Sequence, residues 1–490
     1  MKEKIVVPYA PVLVESTRSI GYSFETAVAD IIDNSISADA TDIRVCFMSS
    51  EPQWLRIEDD GRGMTEAELE TAMRYGSRSP GDARSKDDLG RFGLGLKTAS
   101  LSQCRKLSVM SKRDGRVAAA CWDLDYISQT GEWSLQLWSE DEVKNLPGYP
   151  FLEAHESGTV VLWQNFDRLQ QESANVQATF DEKIDLARKH IALVFHRFLN
   201  IEGGRAHVSI TFNGDPVKGL DPFLTRHPAT QPLADQVLRI KDEVISVKPY
   251  ILPFASKLSP KDIQSIGGTD DLRQHQGFYI YRNRRLIVWG TWFRLIRQNE
   301  LGKLARVRVD IPNSLDFIWE LDIKKSTASL PSFIKKNLVD IVRNAVGRSE
   351  KVYRYRGRNI QKDTLTHIWE PIDKRGAFHY RINRKTPIYD MLTGCMDGKG
   401  VFLLESFVKM LEDSFPYADV YYHLAQNEAD ICRSKSMDFD EVYKIAEQMV
   451  QQIRAGGGDL FQFLKTLEQI DFFVNYPEVI TKIRERYEDY

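Results

Sequence analysis

From residue 75 to residue 103 the chain reads YGSRSPGDARSKDDLGRFGLGLKTASLSQ: a long polar stretch, then Gly90, Gly93 and Gly95, then an apolar helical pattern from about Leu96. The first part is too polar for a buried strand and too rich in glycine and proline for a helix interior, so it reads as a loop delivered to a helix start. Glycines placed there expose backbone N–H groups beside the positive end of the helix dipole, a setting that favours polyphosphate. Lys97 adds charge in the first turn. No GxxxxGK[ST] occurs, so the loop is not of the Walker type.

The rest of the composition sets bounds. A chain of 490 residues, 42% hydrophobic, has apolar mass for two or three domains. Its 66 basic and 69 acidic residues leave a net charge of −3, which excludes a polycation but not a local basic groove. No apolar run approaches the roughly 18 residues of a membrane span, and MKEKIVVPYA lacks a signal-peptide core. Five scattered cysteines support neither a disulfide framework nor a zinc site, so a reducing cytoplasm is the expected compartment.

Three further stretches carry chemistry. In YSFETAVADIIDNSISADA, Ser23 is a suitable N-cap, and Phe24, Ala27, Val28, Ile31 and Ser35 mark a buried helical face. Asp30 and Asn34 stack one turn apart on another side, with Asp33 beside them: a base for water and an oxygen for a divalent metal. In WLRIEDDGRGMT a strand ends at Asp59, where a carboxylate can accept from an exocyclic amine, and Gly61 and Gly63 permit close approach of backbone to a flat ring. In ESGTVVLWQNF, Gly158 and Thr159 open a strand, and the hydroxyl could reach a base edge.

In this order and spacing the four motifs resemble those of the GHKL ATPases: gyrase B, the large heat-shock chaperone, histidine kinases and MutL. The match covers roughly residues 15–170 and is nearest in flavour to MutL and MORC proteins. The resemblance implies an α+β chain: a GHKL (Bergerat) α/β sandwich over 1–172 and a second α/β, S5-like transducer domain over 173–350. A mainly helical region of unknown role would fill 351–490. It implies ATP and Mg²⁺ as ligands. Asn34 would hold the metal, Asp59 the adenine amine, and Gly61, Gly63, Met64 and Thr159 the rest of the adenine pocket. Gly90, Gly93, Leu94, Gly95, Leu96 and Lys97 would wrap the phosphates under a lid from about Tyr75 to Leu89. One departure stands out: Asp30 occupies the place of a glutamate base, shortening the reach by one methylene. Slow hydrolysis is therefore expected, with a non-hydrolysing ATP-binding scaffold as the alternative.

By the same resemblance a lysine of the second domain should sense the terminal phosphate, and Lys325 in DIKKSTA is the candidate, with Lys324 next. The implied activity is an ATP-driven clamp, homodimeric when nucleotide is bound. DNA, and a nuclease or helicase, are possible partners, in antiviral defence or DNA repair; a chaperone-like protein remodeller is the rival. YRNRRLIVWGTWFRLIRQ (281–298) and KVYRYRGRNIQK (351–362) mix arginine with aromatics as nucleic-acid contact requires. VFLLESFVKMLEDSF and FDEVYKIAEQMVQQI read as amphipathic core helices, with a dimer or partner surface as the alternative, and the glycines at 456–458 as a helix break.

Overall fold

The computed structural model describes residues 3, 8–19, 21–75, 95–173, 175–200, 207–240, 243–254, 257–266, 271–298, 302–315, 332–354, 365–374, 377–417, 419–420, 437–457 and 459–487. The chain divides into two compact units, Met1–Arg356 and Gly357–Tyr490.

The first unit opens with α1 (Ala10–Arg18) and α2 (Phe24–Ser37). As its spacing predicts, α2 buries Phe24, Ala27, Val28, Ile31 and Ser35. Ser23 stands at the N-cap, but its hydroxyl pairs with Thr26 Oγ1 at 2.9 Å and not with a backbone amide. Then come β1 (Asp42–Met48), β2 (Trp54–Asp59), α3 (Glu66–Met73), α4 (Gly95–Gln103), β3 (Lys106–Arg113), β4 (Arg116–Asp123), β5 (Gln136–Leu137) and β6 (Gly158–Gln164). With β7 (Ser209–Phe212) and β8 (Asp215–Pro216) they form an eight-stranded sheet of order β5-β4-β3-β6-β2-β1-β7-β8. All neighbours are antiparallel except β1 and β7.

Helices α2 and α4 and the long helix Val176–Val194 cover the sheet, and Phe24 sets its ring edge-on to both Trp163 and Phe180 at about 6 Å. The strands alternate: Val161 and Trp163 join this main core, whereas Val160 packs with Met110, Phe151 and Leu152 in a smaller cluster. The sheet does not stop near residue 172. The helix Val176–Val194 packs on α2, and β7 extends the sheet beyond β1, both contributed by chain that the sequence reading placed in the second module.

A second sheet follows in the same unit, from β9 (Gln231–Pro232), β10 (Gln236–Ile240), β11 (Glu243–Ile251), β12 (Gly277–Arg282), β13 (Arg285–Thr291) and β14 (Ala305–Ile311). Its order is β10-β11-β14-β12-β13, with β9 on β11. The helix Ser332–Arg354 packs against it through Leu338, Ile341, Val342 and Ala345. β12 and β13 are joined by Asn283 and Arg284, both at positive φ, as a two-residue hairpin turn of the right twist requires.

The second unit holds a two-stranded ribbon, β15 (Trp369–Lys374) and β16 (Ala377–Ile382), and helices. Helix Phe439–Ala455 buries Val442, Ala446, Met449 and Val450, and it ends before Gly457, which takes φ +70°. The reading of helix Gly398–Asp413 as core is corrected: Phe402, Leu403, Phe407 and Met410 are 58–71% exposed within the described residues.

One turn is tightly determined. Gly63 has φ +64°, and a Cβ added there would lie 1.9 Å from the Lys112 carbonyl oxygen. Gly63→Ala is expected to lower stability by more than about 2 kcal/mol, combining left-handed strain with displacement of β3. An unchanged thermal midpoint would contradict this.

Candidate nucleotide site

The sheet register assembles the first part of the site. Asp59, the last residue of β2, lies opposite Thr159 at the start of β6, and Thr159 in turn lies opposite Ser111 on β3. Cross-strand partners project to the same face, so three polar side chains line one edge of the sandwich. Ser111 Oγ is 2.9 Å from Thr159 Oγ1, donates to the Gly158 carbonyl at 3.1 Å and accepts from the Met64 N–H at 2.8 Å. Ser35, on the buried face of α2, donates to Asp59 Oδ2 at 2.8 Å, and the Gly61 N–H donates to Oδ1 at 3.0 Å. Asp59, Gly61, Gly63, Met64 and Thr159 thus share one locus. Ser35 and Ser111 are the connections that sequence reasoning missed.

Two adjacent carboxylates have opposite environments. Burial pushes the Asp59 carboxyl up to about 6, against the pull of Ser35 and Gly61. Asp60 accepts from the N–H groups of Thr41 and Asp42 at 2.7 and 2.8 Å. Burial pushes its carboxyl up as well, but these bonds outweigh it and hold the group below its ordinary range. Because Asp59 binds its proton more tightly folded than unfolded, its stabilising contribution is present below pH 4 and is lost as pH rises through about 6. A shift of that size corresponds to at most about 3 kcal/mol. The thermal midpoint of Asp59→Asn should therefore gain on the native chain from pH 4 to pH 8; a difference independent of pH would refute the assignment.

The second part of the site is the polar side of α2. Asp30 and Asp33 are buried, and Asn34 is exposed. Asp30 Oδ2 accepts from the Tyr22 hydroxyl at 3.1 Å. Gly95, the first residue of α4, sits against the same oxygen, where a Cβ would stand at 3.7 Å. The structure therefore brings the Asp30 carboxylate of α2 to the start of α4. Arg285, on β13, completes this face: its Nε lies 2.6 Å from Asp33 Oδ2 and its Nη2 3.8 Å from Asp30 Oδ1.

Lys97 is buried, and its ammonium donates to the carbonyls of Ala72 and Arg74 at 2.6 and 2.9 Å, closing the C-terminal end of α3. Burial depresses its pKa to about 8. Leu96 is half-buried against the main core. Gly90, Gly93, Leu94, Lys324, Lys325 and the segment 76–94 lie outside the described residues. The expectation of a basic–aromatic surface over 281–298 is corrected in part. Tyr281, Arg282, Arg285 and Trp292 are buried because internal partners take them up, and Arg294 and Arg297 remain exposed. Among the described residues there is no cluster of metal-ligating side chains, and no helix is long and apolar enough to cross a membrane.

Comparison with known proteins gives likenesses over part of the chain. Over 95 residues, 19% of the chain, the sequence is 34% identical to ATPase morc-1 of Caenorhabditis elegans. Over 96 residues, again 19%, it is 30% identical to the DNA mismatch repair protein MutL of Rhizobium rhizogenes. These stretches span 11% and 16% of the two relatives. Among solved structures, the crystal structure of the N-terminal domain of a DNA repair protein aligns with a TM-score of 0.44 at 19% identity, over 70% of this chain and 98% of that one. Residues 22–159 match the family described as histidine kinase-, DNA gyrase B- and HSP90-like ATPases, and this segment of the chain is a GHKL-type domain of that family.

Proposed function

We propose that the chain is an ATP- and Mg²⁺-dependent conformational switch of the MutL/MORC kind, hydrolysing ATP slowly and coupling nucleotide state to dimer closure and DNA engagement. The observation that carries the reading is the convergence of Asp59, Thr159 and Ser111 at one sheet edge with the Asp30–Asn34 face of α2. A buried carboxylate next to two hydroxyls suits an amine and a ring edge. An exposed amide oxygen suits a hard divalent cation. Asp59 accepts from the adenine amine, with Gly61, Gly63, Met64 and Thr159 shaping the pocket. Gly90, Gly93, Leu94, Gly95 and Leu96 present the helix start to the phosphates, and Lys97 adds positive charge behind them. Asn34 would hold magnesium through its side-chain oxygen, where the cation would supply charge that offsets the phosphates. Asp30 orients and deprotonates the attacking water.

Slow turnover follows from the position of Asp30, whose short, buried side chain is already engaged by Tyr22 and faced by Arg285. The second sheet acts as the transducer, with Lys325 sensing the terminal phosphate. The two relatives are named for ATPase activity and for DNA mismatch repair, which supports a role in DNA repair; antiviral defence, beside a nuclease or helicase, is the alternative setting. The test is ATP turnover with and without duplex DNA at two salt concentrations, with oligomeric state followed by light scattering. Turnover should be slow, nucleotide should drive dimerisation, and stimulation by DNA should fade between about 50 and 200 mM salt. A rate indifferent to DNA and salt would remove DNA from the reading; a chain that binds no nucleotide would end it.

A further inference from the structure

The second sheet enters the site of the first through one side chain. Arg285 opens β13 and is 4% exposed, yet its partners lie on α2, some 250 residues away in sequence. Its Nε stands 2.8 Å from Oδ1 and 2.6 Å from Oδ2 of Asp33. Its Nη2 faces Asp30 Oδ1 at 3.8 Å, and its Nη1 donates to the Leu286 carbonyl at 3.2 Å. The guanidinium also lies 5.6 Å from the centre of the Phe195 ring. His190, on the long helix, stands with its ring 5.8 Å from that of Trp289 on the same strand. Its Nε2 is buried and has no hydrogen-bond partner among the described residues.

A buried ion pair of this kind is weak support for stability, because desolvating both ions offsets most of their attraction. Its geometric content is stronger. Asp30 and Asp33 are three residues apart on one helix, so a single planar fork constrains both carboxylates. Asp30 is held from one side by the Tyr22 hydroxyl on Oδ2 and faced from the other by Arg285 on Oδ1. A movement of β13 therefore moves the cation that faces the Asp30 carboxylate. Leu286 and Tyr281 of the β12–β13 hairpin belong to the same core as α2, so the hairpin cannot shift without repacking that core.

We infer that Arg285 is a positioning residue: through it the second sheet sets the orientation of Asp30, and a nucleotide seated on α2 is felt in the β12–β13 hairpin. The inference rests on the nucleotide reading of the site. Asp30 meets the substrate; Arg285 acts through Asp30 and Asp33.

The experiment uses the full chain, a nonhydrolysable ATP analogue with Mg²⁺, and the variants Arg285→Lys and Arg285→Gln. In the native chain the analogue should slow amide exchange across 277–291. In Arg285→Lys the analogue should bind within about threefold of native affinity while kcat falls about tenfold, and the exchange response of 277–291 should disappear. A merely structural arginine would lower the melting point, produce no such split between affinity and kcat, and leave the exchange response in place. Native turnover and native exchange response in both variants would overturn the inference alone. If neither variant folds, the native exchange measurement decides, and no slowing at 277–291 overturns it. A native chain that binds no analogue overturns the site reading and this inference together.

Discussion

Asn34→Ala should abolish binding of Mg-ATP while leaving the fold intact. Asn34 is exposed on α2, and its neighbours Asp33 and Ser35 carry the buried contacts, to Arg285 and Asp59. Truncation there removes an amide oxygen without opening a cavity, and alanine is the better helix former, so stability should hold or rise slightly. The loss should be specific to the metal-bound nucleotide, because the proposed adenine locus around Asp59 is untouched. Titration calorimetry with an unaltered circular dichroism spectrum would show it, and an affinity equal to that of the native chain would remove Asn34 from the site.

The second large effect concerns turnover. Asp30→Ala should reduce ATP hydrolysis by about a hundredfold or more, the usual contribution of a positioned general base. It should leave analogue binding in place. Because Asp30 is buried against Tyr22 and faced by Arg285, the alanine variant also leaves a hydroxyl and a guanidinium without a carboxylate to face. Asp30→Asn keeps volume and hydrogen-bonding capacity, and serves as the companion. The two variants should be equally slow although they differ in stability. Hydrolysis at the native rate in the asparagine variant would show that Asp30 is not the base, and would favour water activation from elsewhere or a chain that binds without turning over.

Much of the first sandwich was legible because its signals are local. The period of Phe24, Ala27, Val28 and Ile31 specifies a helix and its buried face, and glycines behind Asp59 specify where a strand must stop. What was not legible depends on register and on distant partners. Ser111 lies 48 residues from Thr159, in a strand of mixed polar and apolar residues, and only the pairing of β3 with β6 brings it to the candidate site. Arg285 sits in an arginine-rich run that reads as surface, and its true environment needs Asp33 from the far end of the sequence. Lys97 shows a third limit: its donation to the Ala72 and Arg74 carbonyls at the end of α3 could not be read from its place in the first turn of α4.

The parallel pairing of β1 with β7 bears on how such a module can travel between genes. Residues 22–159 carry the family signature, yet β1 has a free row of amides and carbonyls until β7 arrives, and α2 has an open apolar flank until Phe180 covers it. A segment cut at the end of the signature would leave a sticky border along β1. The smallest portable piece that closes that border therefore runs on to Phe212, and shuffling of these proteins has to respect that later seam.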